Sequence, residues 1–460
     1  MTDPNHAPAA KFLTGSTMRH VLVMTGASAA GLLAIFIVDF ADLYFLSLLG
    51  EVEVTAAIGY AGTILFFTIS FGIGLSIAAT ALVAPAIGRL DGEGARRLTV
   101  HMAIYCSIAS AAVSVLLFVT MPMILTLFGA EGRTHALALS YLHIITPSTP
   151  LLVIGMCTAA ILRALGDARR SMYVTLFGAI ANGVLDPILI FGFGWGIEGA
   201  AIATVISRIV LAGTGLYGII RVHRLWAKPD MRIFRRDARD ATSIAIPALL
   251  TNIATPVGNA YVTWAISDFG DSAVSGWAII GRLTPLAFAG VFALSAAVGP
   301  IVGQNYGGRA FPRIRRTLTD ALVFTGIYTA VVWAALILLN GHLAALFHAT
   351  PKTAELLRFF SLWLTPLFAF LGALFVANAS FNSLGKPQLS AKLNWGRATI
   401  GTVPFVIAGA HLFGAPGVIA GNMVGAVVFG ILAVLLCYRH VSDLEIRSAT
   451  GAGFSATAKP

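Results

Sequence analysis

The chain has 460 residues, of which 57% are hydrophobic and only 11% charged. Soluble domains carry roughly 25% charged residues, so this composition excludes a soluble globular protein and points to a polytopic membrane protein. Its length leaves room for about a dozen spans of roughly 20 residues each, and its net charge of +10 has to be read from where the basic residues fall.

Residues 1–20 are polar and irregular and are expected to form a cytoplasmic N-terminal tail. The apolar run after Arg19 is too long for a signal-peptide core and reads as the first span. Twelve helices are expected, near 21–47, 56–84, 99–127, 136–162, 171–193, 198–221, 241–267, 274–303, 318–347, 356–383, 390–412 and 416–438. The runs are continuously apolar rather than alternating, which favours helices over the strands of a membrane barrel.

The basic residues follow this count. With the N-terminus in the cytoplasm, 24 of the 30 Lys and Arg fall in inner segments and three in outer ones: Arg133, Lys352 and Arg358. Arg208, Arg282 and Arg397 lie within spans. The asymmetry places both termini inside. It also accounts for the net charge through topology and contact with anionic lipid, so no nucleic-acid partner is expected. The expected location is a bacterial-type inner membrane. The cysteines, Cys106, Cys157 and Cys437, sit in apolar runs without metal-ligand spacing and read as small buried hydrophobes. No HExxH or CxxC pattern occurs, and no metal site, cofactor or P-loop is expected.

The chain repeats itself. VDFADLYFLSLLGEVEVT (Val38–Thr55) aligns without a gap on GNAYVTWAISDFGDSAVS (Gly258–Ser275), matching Ser47 to Ser267 and Gly50 to Gly270. ALVAPAIG (Ala81–Gly88) matches AAVGPIVG (Ala296–Gly303), and LRALGDARRS (Leu162–Ser171) matches FNSLGKPQLS (Phe381–Ser390). The offset stays near 220 residues. The expected fold is therefore all-α, with twelve transmembrane helices in two parallel-repeat six-helix bundles around a central cleft. The bundles would occupy 21–221 and 241–438, with a basic cytoplasmic linker at 222–240 and a cytoplasmic C-terminal tail at 439–460. Six is even, so both halves enter from the same side.

Three acids lie well inside spans: Asp39, Asp42 and Asp186. Each costs roughly 2.5–3.5 kcal/mol at a helix centre, so a function is the first reading. Burial favours the neutral form of a carboxyl, and so does a second carboxylate close by; such pairs exchange protons near neutral pH. Asp42 is the leading candidate, and Asp39, three residues away, is either the second member of a pair or half of an ion pair with Arg208 or Arg397. Asp186 precedes Pro187, whose missing N–H frees a carbonyl one turn back. Asn182 lies four residues earlier on the same helix face. Asp42, Asp186 and Asn182 suit a proton relay or a sodium ion equally. The second half has no mid-span acid: Asn259 and Val262 stand at the matching positions. Ion coupling is thus expected in the N-terminal bundle.

The motifs ADLYFLSLLG, ILRALGDARRS and NGVLDPILIFGFGWGIEGAAIAT resemble those of the multidrug and toxic compound extrusion (MATE) family, and the resemblance covers essentially the whole chain. The last motif is the most specific and is similar to the DinF-like branch, whose Asn, Leu-Asp-Pro and Gly-Ala-Ala-x-Ala-Thr pattern falls on Asn182, Asp186 and Thr204. Asp42, eight residues before Gly50, fits that branch's first-span acid. The resemblance implies a non-enzymatic transporter. It would export organic cations or amphiphilic compounds against protons (or sodium ions) by alternating access, as a monomer. Thr204 would line the cavity, and Tyr44, close to Asp42 in the chain, would line or gate it. Two alternatives remain: a flippase of lipid-linked oligosaccharide or peptidoglycan precursors from the same superfamily, and, remotely, an intramembrane aspartyl protease. The protease needs two carboxylates sharing a proton, but this chain has LDP and no GxGD.

Overall fold

A computed structural model describes residues 9–347 and 349–450, and it is helical throughout the described residues apart from short turns and the non-helical link 223–230. The helices are α1 Thr17–Ser47, α2 Val52–Gly88, α3 Gly92–Leu127, α4 Gly132–Ala164, α5 Ala168–Gly192, α6 Gly196–Val222 and α7 Met231–Ser267. Then come α8, a pair Asp271–Ala287 and Ala289–Gly307 bent by 48°, α9 Phe311–Leu346 and α10 Pro351–Ser383. The bend in α8 follows Pro285, which has no N–H to give the preceding turn.

The stretch Pro387–Ala449 runs 63 residues, about three times the roughly 20 that a bilayer requires. It folds into a hairpin. Gly414 leaves the helical region at φ 65°, ψ −144°. Beyond it the chain doubles back, so that Gly409 lies on Gly417, Phe405 on Gly421 and Gly401 on Gly425. These antiparallel arms are α11 (387–413) and α12 (415–449), which brings the described helices to the expected twelve spans. α11 is itself interrupted by a turn between Ala398 and Val403.

The duplication seen in the sequence reappears in the backbone. A single 3₁₀ turn, Thr146–Ser148, interrupts α4, and another, Thr365–Leu367, interrupts α10. Each begins on a Thr-Pro pair, 219 residues apart, where the proline removes one helical hydrogen bond.

Three ends differ from expectation. α7 begins at Met231, inside the segment expected to be linker. Its first turns are anchored by Asp237, which is buried and meets His101 Nδ1 at 2.6 Å and Arg97 Nε at 3.3 Å on α3. α12 continues past 438 to Ala449, where Arg315 pairs with Glu445 at 2.6 Å; residues 451–460 of the expected tail lie outside the described part. The N-terminal segment is not irregular from residue 11 onward. Phe12 is buried, its N–H donates to Gln304 Oε1 at 2.9 Å, and its carbonyl accepts from Arg313 Nη2 at 2.8 Å. Backbone polar groups pinned this way are fixed even where local propensity is weak.

Contacts divide the chain into two units. One takes the residues up to Lys11 and Ala30–Leu249; the other takes Phe12–Ala29 and the chain from Leu250 onward. The division falls inside α1 and α7 rather than in the basic loop. The first unit has two apolar clusters. One includes Val83, Ile87, Val153 and Leu162, and Cys106 and Cys157 meet there as free thiols 2.8 Å apart. The other includes Leu46, Ala61, Leu142 and Ile190. The second unit is built around aromatic packing, with Phe288 stacked on Phe368 at 4.1 Å and Phe360 edge-on to Phe368 at 5.9 Å.

Candidate functional site

The first unit gathers Asp42 from α1 with Asn182 and Asp186 from α5. Asn182 and Asp186 are one helical turn apart and face the same way. Asn182 Nδ2 donates to Asp186 Oδ2 at 2.7 Å and reaches Asp42 Oδ1 at 3.5 Å. The Asp42 and Asp186 carboxyls also lie within hydrogen-bonding reach of each other. Asp186 has no solvent exposure and Asn182 is buried, whereas Asp42 is half-buried. The group therefore has one enclosed and one accessible end.

Asp186 Oδ1 is buried and has no hydrogen-bond donor. A buried acceptor left unpaired is costly. The neighbouring Asp42 carboxyl can supply the missing donor only when one of the two acids carries a proton. The backbone here is loosened by Pro187, and the next five residues, Ile188–Gly192, form a π-turn. Such turns in a helix recur at functional sites.

Two further helices complete the surroundings. Tyr141 on α4 is buried near both carboxyls and near Thr204 on α6. Thr204 Oγ1 donates to the Ala200 carbonyl at 3.0 Å. Arg208, one turn along α6, is buried, and its Nη1 donates to the Ile145 carbonyl at 3.1 Å and to Ser148 Oγ at 2.9 Å. Those acceptors sit at the 3₁₀ break of α4, so the guanidinium supplies donors that the broken helix lacks.

Asp42, Asn182 and Asp186 thus come together, and Thr204 joins them through Tyr141. Asp39 is exposed and has no ion pair or hydrogen bond among the described residues. Arg208, one of the ion-pair partners considered for it, is engaged at the α4 break. Tyr44 lies two residues from Asp42, which puts it on the opposite face of α1, and it is 55% exposed. Tyr141 was not singled out from the sequence. Its only signal is a hydroxyl-bearing ring in an apolar run five residues before the Thr146-Pro147 break.

The ILRALGDARRS motif organises the turn between α4 and α5. Asp167 accepts from Arg170 N at 3.2 Å, Arg170 Nη1 at 2.7 Å and His223 Nε2 at 2.8 Å. Burial opposes its ionisation, but the bonds from His223 and Arg170 outweigh burial and hold the carboxyl well below the usual carboxylate range. Arg163 Nη1 donates to Ser171 Oγ at 2.9 Å.

Comparison with known proteins now gives the family. The MatE family model matches residues 27–188 and again 247–407, once in each half of the repeat. A FAD transporter from Shewanella oneidensis is 29% identical over 443 residues, covering 94% of this chain and 96% of that protein. The multidrug export protein MepA of Staphylococcus aureus is 25% identical over 410 residues, covering 86% of this chain and 88% of MepA. In fold, the chain matches a crystal structure of a mutant of the Vibrio cholerae MATE transporter VcmN with a TM-score of 0.87 at 24% identity, covering 94% of this chain and 98% of the other. Members of the family are transporters, which removes the intramembrane protease from consideration. With two copies of the family model and twelve helices in the repeat order of that fold, this chain belongs to the MatE family of transporters.

Proposed function

We propose that the protein is a secondary active exporter of amphiphilic or cationic organic molecules, driven by inward proton movement through the Asp42–Asn182–Asp186 group, and that it belongs to the DinF-like branch of the family. The observation that carries the reading is the buried Asp186 carboxyl, which lies close to the Asp42 carboxyl and whose Oδ1 has no donor. A proton shared by the two acids satisfies that oxygen. Loss of the proton leaves two carboxylates crowded in a poorly solvated site, a state with a strong drive to change its surroundings. Sodium is the less suited ion, because Asn182 turns its Nδ2 rather than its oxygen toward both carboxylates, and sodium takes oxygen ligands.

One proton crossing the membrane supplies roughly 2.3 kcal/mol per 100 mV. That sustains roughly a 40- to 50-fold concentration ratio of a neutral substrate, since about 1.4 kcal/mol is tenfold. In this reading the protein works as a monomer in the plasma membrane with both termini in the cytoplasm, as the basic-residue asymmetry supports. The test is efflux from proteoliposomes under a proton gradient or a sodium gradient imposed separately. Transport driven by the proton gradient alone supports the assignment, and transport driven by sodium alone defeats it.

A second reading, export of a flavin dinucleotide, is favoured by the full-length similarity to the Shewanella oneidensis FAD transporter. The same vesicles loaded with FAD decide it. The flippase reading ranks below both: a cationic central cavity suits such a carrier, only Arg208, Arg282 and Arg397 are intramembrane cations, and Arg208 is occupied at the α4 break.

A further inference from the structure

The second unit carries charge of the opposite sign in the matching place. In the first unit, α1 and α5 meet through Asp42 and Asn182. Their repeat partners are α7 and α11, and these meet through Thr255 and Arg397, with Arg397 Nη2 donating to Thr255 Oγ1 at 3.0 Å. With the 219-residue offset of the LRALGDARRS match, Arg397 falls on Gly178. Positions 178, 182 and 186 are one turn apart and share a face of α5. Arg397 therefore stands on the face of α11 that corresponds to the acid-bearing face of α5. Thr255, at the 220-residue offset, corresponds to Ile35 on α1, seven residues before Asp42 and on the same face.

Arg397 is buried at 5% exposure, and ten residues into its helix it lies about 15 Å from the cytoplasmic end of α11. It has no carboxylate partner among the described residues. Its Nε is buried without any acceptor, and the bond to Thr255 is the one hydrogen bond its side chain makes among the described residues. Arg208 shows what a structural intramembrane arginine looks like in this protein: its guanidinium bonds a free carbonyl and a hydroxyl at a helix break. Arg397 leaves most of its five donors unused. Intramembrane ionisable groups face the bundle interior or a water-filled cavity and mark binding pathways. The other mid-span charge of this unit is again a cation, Arg282, which is exposed and makes no ion pair or hydrogen bond among the described residues.

We propose that Arg397, oriented by Thr255, is an anion-binding residue of the second unit that receives the phosphate or carboxylate head of an amphiphilic substrate. The inference rests on the export reading above and narrows its substrate class. The N-terminal bundle then handles the coupling cation and the C-terminal bundle the substrate's anion. A planar guanidinium with free donors is suited to this, since it engages phosphate or carboxylate through two parallel N–H···O bonds. The division of labour also fits the absence of acids at Asn259 and Val262: a carboxylate at the position of Val262 would compete with the substrate's head group.

The test uses the full-length protein in nanodiscs with no gradient, and two fluorescent probes sharing one ring system, riboflavin and riboflavin 5′-phosphate, followed by anisotropy. The phosphate form is expected to bind at least tenfold more tightly than the neutral form. Arg397→Gln should erase that preference, Arg397→Lys should restore part of it, and Thr255→Val should weaken phosphate binding several-fold. The wild-type comparison needs no variant, so it stands even if Arg397→Gln fails to fold. Equal affinity for the two forms, no binding of either, tighter binding of a cation such as ethidium than of the phosphate form, or a preference that survives in folded Arg397→Gln each overturns the proposal. Because binding is read without a gradient, failure of proton-driven efflux leaves this result standing and counts against the export reading alone.

Discussion

Asn182 donates to one oxygen of Asp186 at 2.7 Å, and the other oxygen of that carboxyl is enclosed without a donor. Half of Asp186 is thus held in place while the other half lacks a donor, which in the proposed coupling is a proton shared with Asp42. Asp186→Asn and Asp42→Asn each remove a proton-binding group while keeping shape and volume. Both variants are expected to reach the membrane and to lose gradient-driven efflux by at least tenfold in proteoliposomes. Wild-type rates for Asp42→Asn would sink the coupling assignment.

Tyr141 gives a graded prediction. Its ring belongs to the apolar cluster with Leu142, Ile145 and Ala201, and the side chain lies near Thr204. Tyr141→Phe keeps the packing and deletes the hydroxyl. Thr204 still donates to Ala200, so the loss is at most about 1 kcal/mol, a typical net value for one hydrogen bond. Expressed in the rate, that is roughly fivefold. Efflux by Tyr141→Phe should be slowed to about that degree and should still follow the proton gradient, which separates a supporting group from an ion-binding one.

Much of this was legible in the sequence because the bilayer imposes its own grammar. Asp39, Asp42 and Asp186 stood out since an acid in lipid needs a reason, and the twelve runs stood out since each must be long and apolar. Tyr141 was not legible, because one aromatic in an apolar helix looks like packing until Asp42 and Asp186 are placed beside it. The N-terminal segment was misread because Phe12 and Thr17 have no local reason to be ordered: Gln304, Arg313 and Asp320, some 300 residues away, hold them. The start of α7 was hidden likewise, its charged turns being fixed by His101 and Arg97 rather than by an apolar stripe. In sequence only its spacing to Gly50 sets Asp42 apart from Asp39; in the structure it is Asp42 that α5 meets, through Asn182.

Asp167 sets the pH behaviour of the α4–α5 turn. Its folded carboxyl ionises more readily than the unfolded reference of about 3.9, owing to His223 and Arg170. A depressed folded value means the stabilisation is fully present above about pH 4 and is lost as pH falls through the folded value. Asp167→Asn keeps an N-cap residue but removes the charge. It should cost about 2 kcal/mol at pH 7, the range for hydrogen bonds to a charged group. Thermal unfolding of the purified protein by intrinsic fluorescence should show that the gap between wild type and variant narrows below about pH 4. A gap that is constant from pH 3 to 8 would exclude the charge as its cause.

The α11–α12 hairpin depends on two glycines that face each other. A Cβ on Gly417 would collide with the Gly409 carbonyl, and a Cβ on Gly409 with the Gly417 carbonyl. Both obstacles are backbone, so no side chain can move aside, and the arms would have to separate along their length. Dense packing makes such a change costly, typically 1–3 kcal/mol and sometimes more. Gly326 in α9 is the control, since a Cβ there meets nothing within 4 Å. Replacing it with alanine in a helix interior is worth roughly 0.5–1 kcal/mol in the stabilising direction. Gly417→Ala should therefore lower the unfolding temperature and the yield of monodisperse protein, while Gly326→Ala leaves both unchanged or slightly raised. If Gly417→Ala behaves like Gly326→Ala, the two arms are not in backbone contact and the twelfth span must be placed differently.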